Sequence, residues 1–343
     1  MNVYKVLKLV SGNSLPPSLK LFGLWGMHIA GRRTLGVFLD PVLACNLRCR
    51  MCYFSDPDKR AAMRGHVTER QIQQFQKALF HRALKLQIGC GAEPTLYPGL
   101  VDLVEMGKKS GIPYISLTTN GQLIASGKVD LMSLVEAGLN ELTISLHGTD
   151  KDTYEYLMPG ADFALLIKLI ENIAQVKSKH PDFALRVNFT VNSMNVDNLS
   201  SDRFWRLWDK CTPDIIQLRP VQNIGESDWK DFDYTVIKEK YADTIGAMVE
   251  QCRQRNIRCI APSFDQIDMV DDIQDSVSSI IEDFSYCYIS PDSCYKKDFD
   301  SATDSYESYH KRHHTSRRLL ANVFGMRKSR NRKTSKKLNY RVD

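Results

Sequence analysis

The chain has 343 residues, 43% hydrophobic and 25% charged, with nine cysteines. This composition suits a globular protein with apolar material for one large domain and a smaller addition. An odd cysteine count in a chain of this length argues against a secreted disulfide framework. No run of 18 apolar residues occurs, which excludes an ordinary spanning helix. Ser11–Pro17 interrupts the N-terminal apolar run before it could act as an export signal, so the cytoplasm is the expected compartment.

Net charge is +6, but residues 308–343 hold twelve Lys or Arg and one acid, +11, leaving −5 for residues 1–307. The basic balance therefore describes a tail rather than the body of the protein.

In chain order, Leu35–Pro41 reads as a first strand, followed by a cysteine-bearing loop and a helix near Glu69–Phe80. Leu84–Cys90 is a second strand and Leu100–Ser110 a helix. Tyr114–Asn120 and Glu141–His147 are the third and fourth strands, separated by an amphipathic stretch near Val129–Ala137. Apolar residues recur every three or four positions in Ala164–Lys177, a helical period. They alternate in Ala184–Asn192, which predicts a fifth strand. Ile215–Val221 is a sixth strand, and Tyr241–Arg255 a closing helix.

Alternating β and α units imply a parallel sheet with right-handed crossovers, either an open partial barrel or a doubly wound sheet. In both, function gathers at the C-terminal ends of the strands. The polar motifs fall there: the cysteine loop after strand one, Gly91-Ala92-Glu93-Pro94 after strand two, and Thr119 and Asn120 ending strand three. Ser145 and His147 end strand four.

Cys45-Asn-Leu-Arg-Cys49-Arg-Met-Cys52 has the spacing C-x3-C-x2-C. A loop this tight can place three thiolates on one face of a cubane iron–sulfur cluster, leaving the fourth iron without a protein ligand. A small molecule with an amine and a carboxylate can chelate that iron. Structural zinc commonly takes paired C-x2-C knuckles, and no second matching pair is present.

With Met51 before and Tyr53 after the last cysteine, this loop resembles that of the radical S-adenosylmethionine (radical SAM) superfamily over about residues 34–225. The resemblance implies a partial (β/α)6 TIM-like barrel, a [4Fe–4S] cluster on Cys45, Cys49 and Cys52, and S-adenosylmethionine (SAM) as second cofactor. It further implies reductive cleavage of SAM to a 5′-deoxyadenosyl radical that abstracts a substrate hydrogen. The electron would come from a reductant such as flavodoxin or ferredoxin. The cofactors carry that chemistry and the protein orients them. Gly91-Ala92-Glu93-Pro94 is similar to the family's Gly-Gly-Glu-Pro segment, which binds the methionine amine; Ala92 departs from the second Gly. By the same resemblance, Ser145 contacts the ribose, with Asn188 and Asn192 as further ribose or carboxylate contacts. Leu218 and Arg219 lie where the family's backbone meets adenine, and Arg219 could pair with a carboxylate. His147 is read as a structural polar residue.

The expected organisation is a basic amphipathic segment 1–33, a core barrel 34–240, a cysteine-containing extension 241–307 and a basic tail 308–343. Cys259, Cys287 and Cys294 lie in segments that look like eroded SPASM or twitch extensions, which hold auxiliary clusters and accompany peptide-modifying enzymes. A second cluster on those three, with an open site or a fourth ligand such as Cys211 or Cys252, stays open beside its absence; Cys211 and Cys252 themselves read as small core residues. The expected substrate is a peptide or protein. Its rivals are a carbohydrate or cell-envelope precursor, and a protein that binds cluster and SAM without turnover. The basic ends could meet an anionic membrane or nucleic acid, or simply be solvated.

Overall fold

The computed structural model describes residues 16–200, 202–221, 233–267 and 276–324. The six expected strands form as β1 (Leu35–Leu39), β2 (Ala83–Ile88), β3 (Ile115–Thr119), β4 (Glu141–Leu146), β5 (Ala184–Val191) and β6 (Ile215–Pro220). Two more parallel strands, β7 (Arg258–Ile260) and β8 (Tyr286–Ser290), extend the sheet, and β9 (Ser293–Cys294) forms a hairpin with β8. The order is β7-β6-β5-β4-β3-β2-β1-β8-β9. That is the strand sequence of a TIM-like barrel, with β7 at one edge and the β8–β9 hairpin at the other. Residues 241–307, expected as an extension, contribute three strands to this sheet.

Local signals explain the crossover helices. Thr68 opens helix Glu69–Leu79 through a reciprocal cap, its hydroxyl accepting from Gln71 N–H while the Gln71 side chain accepts from Thr68 N–H at 2.9 Å. Asp162 caps helix Phe163–Lys179 through Ala164 N–H. That helix buries Leu166, Leu169, Ile170 and Ile173 against the sheet.

Side-chain alternation divides the sheet into two faces. In β5, Leu185, Val187, Phe189 and Val191 are buried in the apolar core, while Arg186, Asn188 and Thr190 take the other face. The same division puts Leu86 and Ile88 of β2, and Leu142, Ile144 and Leu146 of β4, in the core. The opposite face is polar. Its floor holds Glu141, fully buried, whose carboxylate accepts from Arg186 at 3.0 Å and from the Tyr114 hydroxyl at 2.6 Å. Burial pulls the Lys85 ammonium beside them down to about 8, with Glu141 opposing the shift. Above that, Ser116 donates to Gln87 at 2.7 Å and Gln87 donates to Thr118 at 2.8 Å. The barrel interior is therefore hydrogen-bonded rather than oily.

Both ends of the described chain pack together beneath this floor. Helix Pro17–Ile29 lies against helix Thr315–Val323, with the Trp25 indole donating to Ser316 at 3.1 Å. The first part of the expected basic tail is thus helical, as Tyr306–Arg312 and Thr315–Val323; the remainder, residues 325–343, lies outside the described residues. No helix among the described residues is long and apolar enough to cross a membrane.

Candidate active site

The loop after β1 carries the three cysteines and is tied down on two sides. Arg48 and Arg50 donate their backbone N–H groups to Pro159 and Leu157, at 2.9 and 3.0 Å, fastening it to the segment after β4. On the other side Glu93 donates its backbone N–H to Ala44 at 2.9 Å, and the Asn120 amide donates to Asn46 at 2.9 Å. The ends of β2 and β3 therefore grip the loop from both flanks of Cys45.

All three cysteines are free thiols, partly buried, and the titrations of Cys45 and Cys49 feel the charge of a neighbouring cysteine. Burial pushes Cys45 up to about 12 and raises Cys49 and Cys52, while the Cys45 sulfur accepts from Leu47 N–H at 3.4 Å. Thiols held out of water like this become thiolates only with a cationic partner such as iron.

Glu93 is 2% exposed. One carboxylate oxygen accepts from Thr95 N–H at 3.1 Å, from the Thr95 hydroxyl at 2.5 Å and from the Thr119 hydroxyl at 2.6 Å; the other accepts from Asn120 N–H at 2.9 Å. Burial raises its carboxyl above the usual range, and those hydrogen bonds pull the other way. Among the described residues no basic side chain pairs with it, and Cys45 and Cys49 feel its charge. A buried carboxylate with a lone pair left beside the cysteine loop is suited to an ammonium group.

Gly91 lies under Tyr53, whose hydroxyl donates to the Gly91 carbonyl. A Cβ at Gly91 would stand 2.6 Å from that hydroxyl, so the backbone cradle needs glycine. Sequence reasoning missed Asp40, which shapes this cradle from the end of β1. Its buried carboxylate accepts from Cys90 N–H at 2.7 Å, Gly91 N–H at 3.1 Å and the Tyr288 hydroxyl at 2.9 Å. An acid ending strand one, just before the cysteine loop, was the available signal.

Across the sheet, Ser145 stands in register with Asn188, and Asn188 with Gln217. Asn188 Oδ1, Asn192 Nδ2 and His147 Nδ1 are buried without a hydrogen-bond partner. Three orphaned polar atoms at the C-terminal ends of β4 and β5 mark a place for a polar ligand. Burial holds the His147 imidazole down to about 4, so it is neutral at physiological pH. Arg219 takes the lumen face of β6 in register with Thr190, whereas the Leu218 side chain is buried on the helix face, leaving only its backbone near the mouth. Pro94 opens a short 3-10 turn against Gly89, and the Ala92 backbone lies near enough to Asp40 to help lower its carboxyl against burial.

Of the cysteines expected to share a second cluster, Cys259 lies on β7, and Cys287 and Cys294 lie on β8 and β9 at the other end of the strand order. Cys259, on edge strand β7, lies close enough to buried Cys252 in helix Ala247–Gln254 for the two to shift each other's titration. Cys287 is buried on the helix face of β8, with Cys294 near it, beyond β1 at the other edge of the sheet. Cys211 is buried in the core.

Residues 40–204 match the radical SAM superfamily. The chain carries a radical SAM domain. That domain runs from Asp40 through β5 and so includes the cysteine loop, Glu93 and the orphaned polar atoms. The family implies SAM and a [4Fe–4S] cluster, and the donor set fits both: three free thiols on one loop and, beside them, a buried carboxylate with no basic partner among the described residues. Among relatives, a GTP 3′,8-cyclase of Peptoclostridium acidaminophilum is 32% identical over 150 residues, 43% of this chain and 44% of that protein. A nucleotide dehydratase dependent on S-adenosylmethionine, from Flammeovirga pacifica, is 24% identical over 243 residues, 68% and 72% of the two chains. The chain spans about half the length of several curated relatives it matches. In fold, it resembles Streptococcus suis SuiB bound to S-adenosylmethionine, with TM-score 0.54 and 17% identity over 83% of this chain and 67% of that one.

Proposed function

We propose that this chain is a radical SAM enzyme whose cluster is held by Cys45, Cys49 and Cys52, with SAM lying across the C-terminal ends of the strands. The observation that carries the reading is Glu93, a buried carboxylate beside the thiols with no basic partner among the described residues. When bound, the cluster would supply the electron that cleaves SAM reductively. Glu93 would accept hydrogen bonds from the methionine ammonium, and the Gly91–Pro94 backbone would line its approach. Tyr53 holds that backbone by the Gly91 carbonyl and Asp40 by the Gly91 N–H. Ser145, Asn188 and Asn192 would satisfy their polar atoms on the ribose, and Arg219 would offer charge to a carboxylate. His147, kept neutral by burial, would act as a hydrogen-bonding wall rather than a proton carrier.

For the substrate, a nucleotide is the better supported class. Two relatives of different stated activity are both named for nucleotides. The peptide or protein reading rests on the C-terminal cysteines, which are spread over β7 and the β8–β9 hairpin. The deciding assay adds nucleoside triphosphates or peptides to anaerobically reconstituted, reduced protein with SAM and follows 5′-deoxyadenosine. The proposal expects nucleotides to raise its formation above the substrate-free rate; stimulation by peptides alone would reverse the assignment.

A further inference from the structure

Helix Pro17–Ile29 has only Ser18, Lys20 and His28 as polar residues. A helix apolar nearly all round is ordinarily enclosed by protein, and this one is not. Its inner face seats Leu21, 2% exposed, and directs Trp25 to Ser316 and His28 to the Tyr306 hydroxyl at 3.2 Å. Its outer face carries Leu19, Phe22 and Ile29, which are 51%, 49% and 57% exposed. Their spacing of three and seven sets them in one stripe along the helix. Gly23 and Gly26 leave that surface smooth, since a Cβ on either would meet nothing within 4 Å. The usual arrangement, with the polar side outward, is reversed.

In the sequence, positive charge is concentrated in the segment that contains this helix and at the far end of the chain. Residues 1–33 contain five Lys or Arg and no acid. With +6 overall, +5 in residues 1–33 and +11 in residues 308–343, residues 34–307 carry −10. Helix Thr315–Val323, packed on the stripe-bearing helix, exposes Arg317 and Arg318 and is followed by Phe324, 65% exposed. The helix pair sits at the N-terminal ends of β1 and β2, where Arg82 donates to the His28 carbonyl at 3.1 Å. The cysteine loop and Glu93 lie at the other ends of those strands.

We propose that this base is a docking surface for an anionic lipid membrane. Leu19, Phe22 and Ile29 enter the headgroup region, the flanking Lys and Arg side chains meet lipid phosphates, and the barrel mouth faces the aqueous side. An apolar stripe flanked by cations is the chemistry of an interfacial helix. A nucleic-acid surface would use the cations but has no role for exposed Leu19 and Ile29. The inference stands independently of the catalytic reading.

Co-sedimentation of the full chain with vesicles tests it, using phosphatidylcholine alone or mixed with phosphatidylglycerol. Pelleting is expected with the anionic vesicles, reduced by salt and weak with phosphatidylcholine alone. Leu19→Glu/Phe22→Glu should lower the partition coefficient by roughly tenfold or more, and Arg317→Ala/Arg318→Ala should lower it less. Circular dichroism confirms that each variant folds, as expected for exposed positions. Absence of pelleting with anionic vesicles, or unchanged pelleting of the Leu19→Glu/Phe22→Glu variant, overturns the proposal. So does a wild-type dimer that this variant converts to monomer, which would make the stripe an interface between copies.

Discussion

The backbone N–H of Glu93 donates to the carbonyl of Ala44 at 2.9 Å, joining the loop after β2 to the residue preceding Cys45. Through this bond the carboxylate that would receive the SAM ammonium and the first cluster ligand are held as one unit. The Asn120 bond to Asn46 at 2.9 Å braces the same loop from β3. Disturbing either residue of the pair should therefore be read out in cofactor binding before it is read out in stability.

Glu93→Gln should keep its iron but bind SAM more weakly. Hydrogen bonds to charged groups contribute about 1.5–3 kcal/mol, so affinity should fall roughly 10- to 150-fold. Equilibrium binding to the reconstituted protein, beside an iron assay, measures both quantities. Unchanged affinity would place the ammonium elsewhere.

Gly91→Ala drives a methyl to 2.6 Å from the Tyr53 hydroxyl, whereas the ring carbon behind it lies at 3.8 Å. The single variant should lose SAM affinity, and adding Tyr53→Phe should restore part of it. A double variant no better than Gly91→Ala would show that the contact does not shape the site.

Glu141 is fully buried between Arg186 and Lys85. Removing it in Glu141→Ala strands two cations in the barrel floor, at a cost of about 3–5 kcal/mol. Urea unfolding should record this as a lowered midpoint. A near-neutral result would mean that water reaches the barrel floor.

His310 is buried, with its ring nitrogens paired to the Tyr295 hydroxyl and the Thr315 hydroxyl, each at 2.7 Å. Burial, with smaller contributions from His28, Lys296, Arg82 and His313 nearby, holds its imidazole down to about 3. Between that value and an unfolded pKa of about 6.5, the unfolded chain binds more protons. Stability must therefore fall as pH falls through this window, by at most about 1.4 kcal/mol per pH unit from this group. Melting temperature should be flat above pH 7 and drop below pH 6, and His310→Gln should flatten the slope. Parallel curves for the two proteins would assign the acid sensitivity to other groups.

Much of the site was legible because its chemistry is local. The spacing of Cys45, Cys49 and Cys52 and the Gly91–Pro94 segment are short patterns at strand ends, and six strands stand out as short β-branched runs between helix-like segments. What could not be read depends on distant pairing. Asp40 looks like a polar residue closing a strand until the fold brings Cys90, Gly91 and Tyr288 to it. β7 has three residues, too few to show a period. In β8, Tyr286 and Tyr288 take the lumen face while Cys287 is buried among the core residues. A cysteine serving as a small core residue there looks in sequence like a cluster ligand.

The central claim is that the Cys45–Cys52 loop holds a cluster that cleaves SAM. It is tested most directly by anaerobic reconstitution, dithionite reduction, addition of SAM and quantitation of 5′-deoxyadenosine, with the Cys45→Ala/Cys49→Ala/Cys52→Ala variant in parallel and a metal assay on both. The wild type should contain iron and form 5′-deoxyadenosine, and the variant should form none. Zinc in place of iron, or equal product from both proteins, would contradict the account.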